Sequence, residues 1–195
     1  MSFLSVPALL QRAAVLLPQI AEGAADRERT RQLPHEQIRQ LAAARLLTLR
    51  IPQRYGGSES SVREVVQLVI DLAAVDSNIA QSLRPSFAFI ESLLVQKSEA
   101  ERQLWFAHYL QGEVFGNAGW EIGSANGQVS ARIVPEGEHF RANGSKYYST
   151  GALYADWVSA VALDETEEAV SFVVHRDREG LDRVDEFGGM GRRLT

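Results

Sequence analysis

Two stretches of this chain combine aromatic side chains with short polar ones in a way that could hold a planar ligand. They are Phe115-Gly116-Asn117-Ala118-Gly119-Trp120-Glu121-Ile122-Gly123-Ser124 and Ala142-Asn143-Gly144-Ser145-Lys146-Tyr147-Tyr148-Ser149-Thr150-Gly151. A largely apolar ring with polar atoms along one edge needs an aromatic or aliphatic wall and a few donors aimed at that edge. Tyr148, Ser149 and Thr150 supply both kinds of group in succession. The same residues suit an ordinary strand, since Tyr and Thr are good strand formers whose alternate side chains fill a β core. On the residues alone the strand reading carries more weight. A third stretch, Arg84-Pro85-Ser86-Phe87, could line a substrate pocket, or could belong to a core helix with Phe87, Phe89 and Leu93 turned inward.

Other chemistries lack their parts. His175-Arg176-Asp177 spells a kinase catalytic tripeptide, but no Asn follows at the metal-ligand position and no glycine-rich phosphate loop precedes it. His35-Glu36 has no second His one helical turn later, and His108, His139 and His175 show no ligand spacing, so no metal is expected. There is no Gly-x-Ser-x-Gly elbow, no Walker loop and no Gly-x-Gly-x-x-Gly after a strand. With no cysteine, disulfides, thiolate metal sites and a cysteine nucleophile are excluded.

The elements that must position these residues change character along the chain. After Ser61, the residues Val62, Val65, Val66, Val69 and Ala73 fall three and four apart, which predicts one inward helical face. Ser61 with Glu64, and Ser98 with Glu101, form capping boxes, while Pro34 sits where a helix carrying Ile38, Leu41 and Ala42 would begin. Further helices are predicted over 6–25 and 78–94, the latter bent or bounded at Pro85, with a loop over 51–57. Strand-like runs follow at 114–115, 128–134, 140–142, 146–150, 157–162 and 170–174. Pro135-Glu136-Gly137 and Asn143-Gly144 are expected to turn between three of them, Asn-Gly being the preferred hairpin pair because both residues tolerate positive φ. The expected fold is α+β: an all-helical N-terminal domain over 1–111, then an antiparallel β-rich domain over 112–195.

Composition fits a globular protein. The 195 residues are 45% hydrophobic and 23% charged, enough for a sizeable core. A formal charge of −5, with no compensating basic stripe, argues against nucleic acid as a partner. No apolar run approaches the ~20 residues of a membrane-spanning helix. Residues 1–10 read as a helix start rather than a signal segment, because no positive residue precedes them and Arg12 interrupts the apolar run. A cytoplasmic location is expected.

Three segments, in order and spacing, resemble the acyl-CoA dehydrogenase superfamily. Ile51-Pro52-Gln53-Arg54-Tyr55-Gly56-Gly57 resembles its Pro-x-x-Tyr-Gly-Gly loop. The 142–151 stretch, followed by Ala155-Asp156-Trp157-Val158, resembles its Asn-Gly-x-Lys-x-Trp-Ile-Thr strand and the Ala-Asp beyond it, which puts Tyr148 at the Trp, Ser149 at the Ile and Thr150 at the Thr. The 115–124 stretch resembles the loop that reads Tyr-x-x-Thr-Glu-Pro and then Gly-Ser-Asp. Here Phe115 stands at the Tyr, Ala118 at the Thr, Gly119 at the Glu, Trp120 at the Pro and Ala125 at the Asp. Residues 185–195 resemble a segment that borders the cofactor in the family.

The resemblance implies a flavin cofactor, FMN or FAD, contacted by Phe115, Asn117, Ala118, Ser124, Tyr148, Ser149 and Thr150, with Arg84, Ser86 and Phe87 toward the substrate. Ala118 in place of Thr removes one hydrogen bond to the flavin. Phe-Gly-Asn-Ala with Tyr-Tyr-Ser-Thr-Gly-Ala-Leu-Tyr-Ala-Asp-Trp is more similar to the reduced-flavin monooxygenases of this fold, the branch that includes dibenzothiophene monooxygenase. Those enzymes take reduced FMN from a separate flavin reductase and insert one oxygen atom into a small, usually apolar or sulfur-containing substrate. Asn117 and Ser149 then become candidate donors to the flavin. The alternatives are an acyl-CoA dehydrogenase using FAD, or a non-catalytic truncated relative serving as a binding or assembly module. The resemblance corresponds to about the first half of a typical member. The family's C-terminal helical bundle, which carries the catalytic glutamate and forms the oligomer, has no counterpart in these residues, so no catalytic base is named and exposed apolar faces are expected to drive homo-oligomer formation.

Overall fold

The computed structural model describes residues 4–122, 129–186 and 194–195. Among the described residues six α-helices come first: α1 (Val6–Ala21), α2 (Ala24–Thr30), α3 (His35–Ala43), α4 (Val62–Val75), α5 (Ser77–Gln96) and α6 (Glu99–Leu110). Five strands follow: β1 (Phe115–Ala118), β2 (Arg132–Glu136), β3 (His139–Asn143), β4 (Trp157–Leu163) and β5 (Ala169–His175). Both capping boxes form, with the Ser61 and Ser98 hydroxyls accepting from the N–H groups of Glu64 and Glu101 and each glutamate reaching back to its cap. Among the described residues no helix is long and apolar enough to cross a membrane.

Several local expectations change in the folded chain. The single helix over 6–25 is two, because Gly23 adopts a left-handed φ of 73° between α1 and α2. In contrast, α5 runs through Pro85 without stopping. On α4 the inward residues are Val65, Leu68 and Leu72, whereas Val62, Val66 and Ile70 face outward at about half exposure. Two apolar stripes are available on that helix, and its tertiary neighbours choose the leucine side.

The sheet is mixed rather than antiparallel throughout. β4 is central: β5 pairs antiparallel along its whole length, while β1 pairs parallel with residues 157–160 and β2 meets it at Leu163. β2 and β3 form an antiparallel hairpin closed by Glu136↔His139, so Pro135 lies within a strand and Gly137, at φ 64°, makes the turn. The Asn143-Gly144 hairpin expected next is absent. Asn143 ends β3, and the 146–150 run forms no strand: only Tyr147 bridges to Trp120, and Tyr148 is left-handed at φ 53°. The local preference of Asn-Gly yields to the contacts that draw this segment toward β1, described below.

The helices share their core with the near end of the sheet, which carries two smaller clusters of its own around Val158 and Ile133. Leu9, Ile38, Leu41, Leu68, Leu72, Ile79, Leu83, Ile90, Phe106 and Tyr109 pack with Val114 and Phe115 at the start of β1 and with Tyr154 ahead of β4. A polar joint reinforces it. Arg39 on α3 donates to both oxygens of Asp156, at 2.7 and 2.9 Å, and to the Tyr154 carbonyl at 3.2 Å, while Asp156 also accepts from the Val114 N–H at 2.8 Å. Half-burial alone would raise the Asp156 pKa, but Arg39, the Val114 N–H and the charge of Arg176 outweigh it and hold the carboxyl below its usual range. The Ala-Asp of the sequence motif is thus the joint between helices and sheet.

Candidate functional site

The site is built where β1 leaves the core and meets the turn at 147–152. The Asn117 N–H donates to the Thr150 carbonyl at 3.2 Å, and the Tyr147 N–H to the Trp120 carbonyl at 2.8 Å, so the two motif stretches lie side by side although they are remote in sequence. Close approach of three backbones fixes the turn. A Cβ on Gly116 would sit 2.9 Å from the Ala152 nitrogen, and one on Gly151 would sit 2.3 Å from the Ser82 carbonyl oxygen of α5. Glycine is required at both places, and Gly151 also needs its freedom at φ 74°.

Within this junction the Asn117 Oδ1 is buried without a hydrogen-bond partner. Such an atom costs free energy in the folded chain, and Asn117 Oδ1 is the one on β1 at this junction, of seven such side-chain atoms among the described residues. In the same two stretches, which the Trp120–Tyr147 bridge joins, Trp120, Ile122, Tyr147 and Tyr148 are 62, 60, 44 and 65% exposed. Ser149 and Thr150 are partly exposed between them. Aromatic walls with a few polar atoms at one edge are what a flavin ring requires, so these residues fit the cofactor.

The other predicted site residues are distributed differently. The Phe115 ring is fully buried, stacked on Tyr109 and Phe89 with centroids 4.4 and 4.9 Å away, and only its backbone runs toward the site. Ser86 is fully buried too, its hydroxyl donating to the Phe115 carbonyl at 2.8 Å and accepting from the Phe115 N–H at 2.9 Å. It anchors β1 on α5. Phe87 is in the core at 8% exposure, Ala118 is buried at the end of β1, and of the three residues expected toward the substrate only Arg84 is exposed. Ser124 and most of the 185–195 segment lie outside the described residues.

One group at the site has no precedent in the sequence reading. The Glu121 carboxylate is 4% exposed and pairs with the Lys146 ammonium, itself 11% exposed. It also accepts from the Ser130 hydroxyl, from the Ser130 N–H at 2.7 Å and from the Ala131 N–H at 3.1 Å. Burial would raise its pKa, but Lys146 and the Ser130 and Ala131 donors overcome that and hold it at about 2. Because the folded pKa is depressed, the ion pair's contribution to stability is complete above the ordinary carboxylate range and is lost as pH falls through about 2. The partners are 25 and 9 residues away, and no periodic pattern announces such a pairing.

Residues 13–113 match the model of the acyl-CoA dehydrogenase N-terminal domain. A probable FMNH2-dependent monooxygenase, SfnC of Pseudomonas putida, is 25% identical over 189 residues, covering 94% of this chain and 46% of that protein. Among solved structures, FMN-bound TdsC from Paenibacillus sp. A11-2 superposes with a TM-score of 0.86 at 21% identity over 96% of this chain and 48% of that one. Methanesulfinate monooxygenase MsuC from Pseudomonas fluorescens gives a TM-score of 0.81 at 26% identity over 94% of this chain and 47% of that one. The chain therefore spans just under half the length of these relatives. With the family model covering the helices from α1 to the threshold of β1, the chain belongs to the acyl-CoA dehydrogenase N-terminal domain family.

Proposed function

We propose that this chain supplies the flavin-facing front of a reduced-flavin monooxygenase, an oxidoreductase that inserts one oxygen atom into a small apolar or sulfur-containing substrate. The observation that carries this reading is the unpartnered acceptor Asn117 Oδ1 at the meeting of β1 and the 147–152 turn. A reduced isoalloxazine has N–H donors that the oxidised ring lacks, so an acceptor fixed in a buried position favours the reduced form. Ala118 stands where the dehydrogenase pattern has Thr, and SfnC is named for FMNH2-dependent oxygenation. FMN is accordingly the proposed cofactor.

Bound there, the flavin would supply the oxygen activation. The chain's own residues would hold it: Tyr148 and Trp120 would wall the ring, Asn117, Ser149 and Thr150 would meet its polar edge, and Arg84 would lie toward the substrate. Residues 1–111 form the helical support and 112–195 the flavin-binding part. A flavin reductase is the proposed electron source. The outward Val62, Val66 and Ile70 stripe supports packing against another protein surface in a homo-oligomer, and we place the enzyme in the cytoplasm. The match to the family's N-terminal domain favours, as a second reading, an FAD-dependent acyl-CoA dehydrogenase.

Labelled oxygen separates the two. Whole protein given reduced FMN, 18O2 and a panel of small sulfides and sulfones is expected to return products carrying one 18O atom, in an amount that follows reduced FMN. Desaturation of an acyl thioester with FAD, and no label in any product, would reverse the assignment.

A further inference from the structure

We infer that Glu121 is the positioning residue of the flavin site, a buried carboxylate that holds the two flavin-facing stretches in register; this rests on the flavin reading above. Its two oxygens join three separate pieces of chain. Lys146 comes from the stretch that leads into Tyr148-Ser149-Thr150, Ser130 and Ala131 come from the approach to β2, and Glu121 itself follows directly on the exit of β1. Its immediate neighbour Trp120 makes the bridge to Tyr147, the neighbour of Lys146, so the ion pair and the backbone bridge form one clamp. Gly144 seats the same stretch against the β2 approach, since a Cβ there would lie 2.5 Å from the Ala131 Cβ. Asn117 and Thr150 sit just beyond the clamp, joined by a single backbone hydrogen bond at 3.2 Å.

The Glu121 side chain is nearly inaccessible, so its effect is transmitted through Trp120, Tyr147 and the Asn117–Thr150 contact. A neutral amide at the same place cannot replace it. Gln offers one acceptor oxygen in place of two and a donor that faces Lys146, which leaves a buried ammonium without its counter-charge. The turn from 147 to 150 is then free to move away from β1, and the edge contacts to the ring lose their common geometry.

The test compares wild type, Glu121→Gln and Glu121→Asp by amide hydrogen exchange and by anaerobic titration with reduced FMN. In Glu121→Gln, exchange at the Tyr147 and Asn117 amides should accelerate at least about tenfold and affinity for reduced FMN should fall at least about tenfold, the scale expected for loss of a buried charge partner. Exchange at the Val114 amide, bonded to Asp156 on the far side of β1, should not change. Glu121→Asp keeps the charge and should recover part of the affinity. Should Glu121→Gln fail to fold, Ser130→Ala removes one donor only and should give the same pattern at about threefold. Unchanged exchange, or unchanged affinity in a variant whose wild type binds flavin, overturns the inference. Accelerated exchange with no flavin binding even by wild type keeps the clamp and overturns the flavin reading instead.

Discussion

Arg27→Met is expected to cost about 3–5 kcal/mol of folding free energy, the penalty for removing one partner of a buried ion pair. Arg27 on α2 meets Asp76, the N-cap of α5, at 2.9 Å, with the two side chains 6 and 2% exposed. The guanidinium also donates to the carbonyls of Ile20 at 2.6 Å and Glu22 at 3.0 Å, tying the end of α1 to the start of α5. Without it, the Asp76 carboxylate keeps only the N–H groups of Asn78 and Ile79, at 3.0 and 3.4 Å, and is stranded in the interior. Arg27→Met combined with Asp76→Asn should be less damaging than Arg27→Met alone, because Asn still caps the helix and no charge remains buried. Urea denaturation of the three proteins measures the difference. A loss below about 1 kcal/mol for Arg27→Met, within the range of an exposed pair, would contradict this role.

Gly151→Ala should be nearly as damaging to stability and more damaging to the site. At φ 74° a Cβ carries a strain of about 1 kcal/mol, and here it would also stand 2.3 Å from the Ser82 carbonyl oxygen, so α5 and the turn must separate, for a total of about 3 kcal/mol. Separation breaks the alignment of Thr150 with Asn117, and reduced-FMN affinity should drop at least about tenfold. Gly137→Ala provides the internal control: its φ is 64°, but nothing lies within 4 Å of the added Cβ. It should lose only about 1 kcal/mol and keep its flavin affinity. Equal effects of the two substitutions, by thermal unfolding and flavin titration, would show that the close packing around Gly151 does not matter.

What the sequence makes legible here is what short-range physics determines. The capping boxes at Ser61 and Ser98 form because each needs only residues three apart. The inward face of α4 is expected on the valines and lies instead on Val65, Leu68 and Leu72, and Asn143-Gly144 carries a turn preference that Tyr147 and Lys146 override from a distance. The site divides in the same way. Asn117 and Thr150 come together through one backbone hydrogen bond, while Phe115 and Ser86 bind each other inside the core. Lys146 stands at the Lys of the matched motif, but its pairing with Glu121 gave no local signal, because a pairing of buried charges across 25 residues exists only once the chain is folded. Resemblance identifies the stretches that matter; packing decides which side chains in them reach the surface.

The central claim is that the β1 exit and the 147–152 turn form a platform for reduced FMN. Anaerobic titration of the chain with reduced FMN, set beside oxidised FMN and an Asn117→Ala variant, tests it most directly. Saturable binding at one flavin per chain is expected, with the reduced form at least about tenfold tighter than the oxidised and that preference lost in Asn117→Ala, as befits one buried hydrogen bond. No saturable binding, or binding indifferent to both redox state and Asn117, would contradict it.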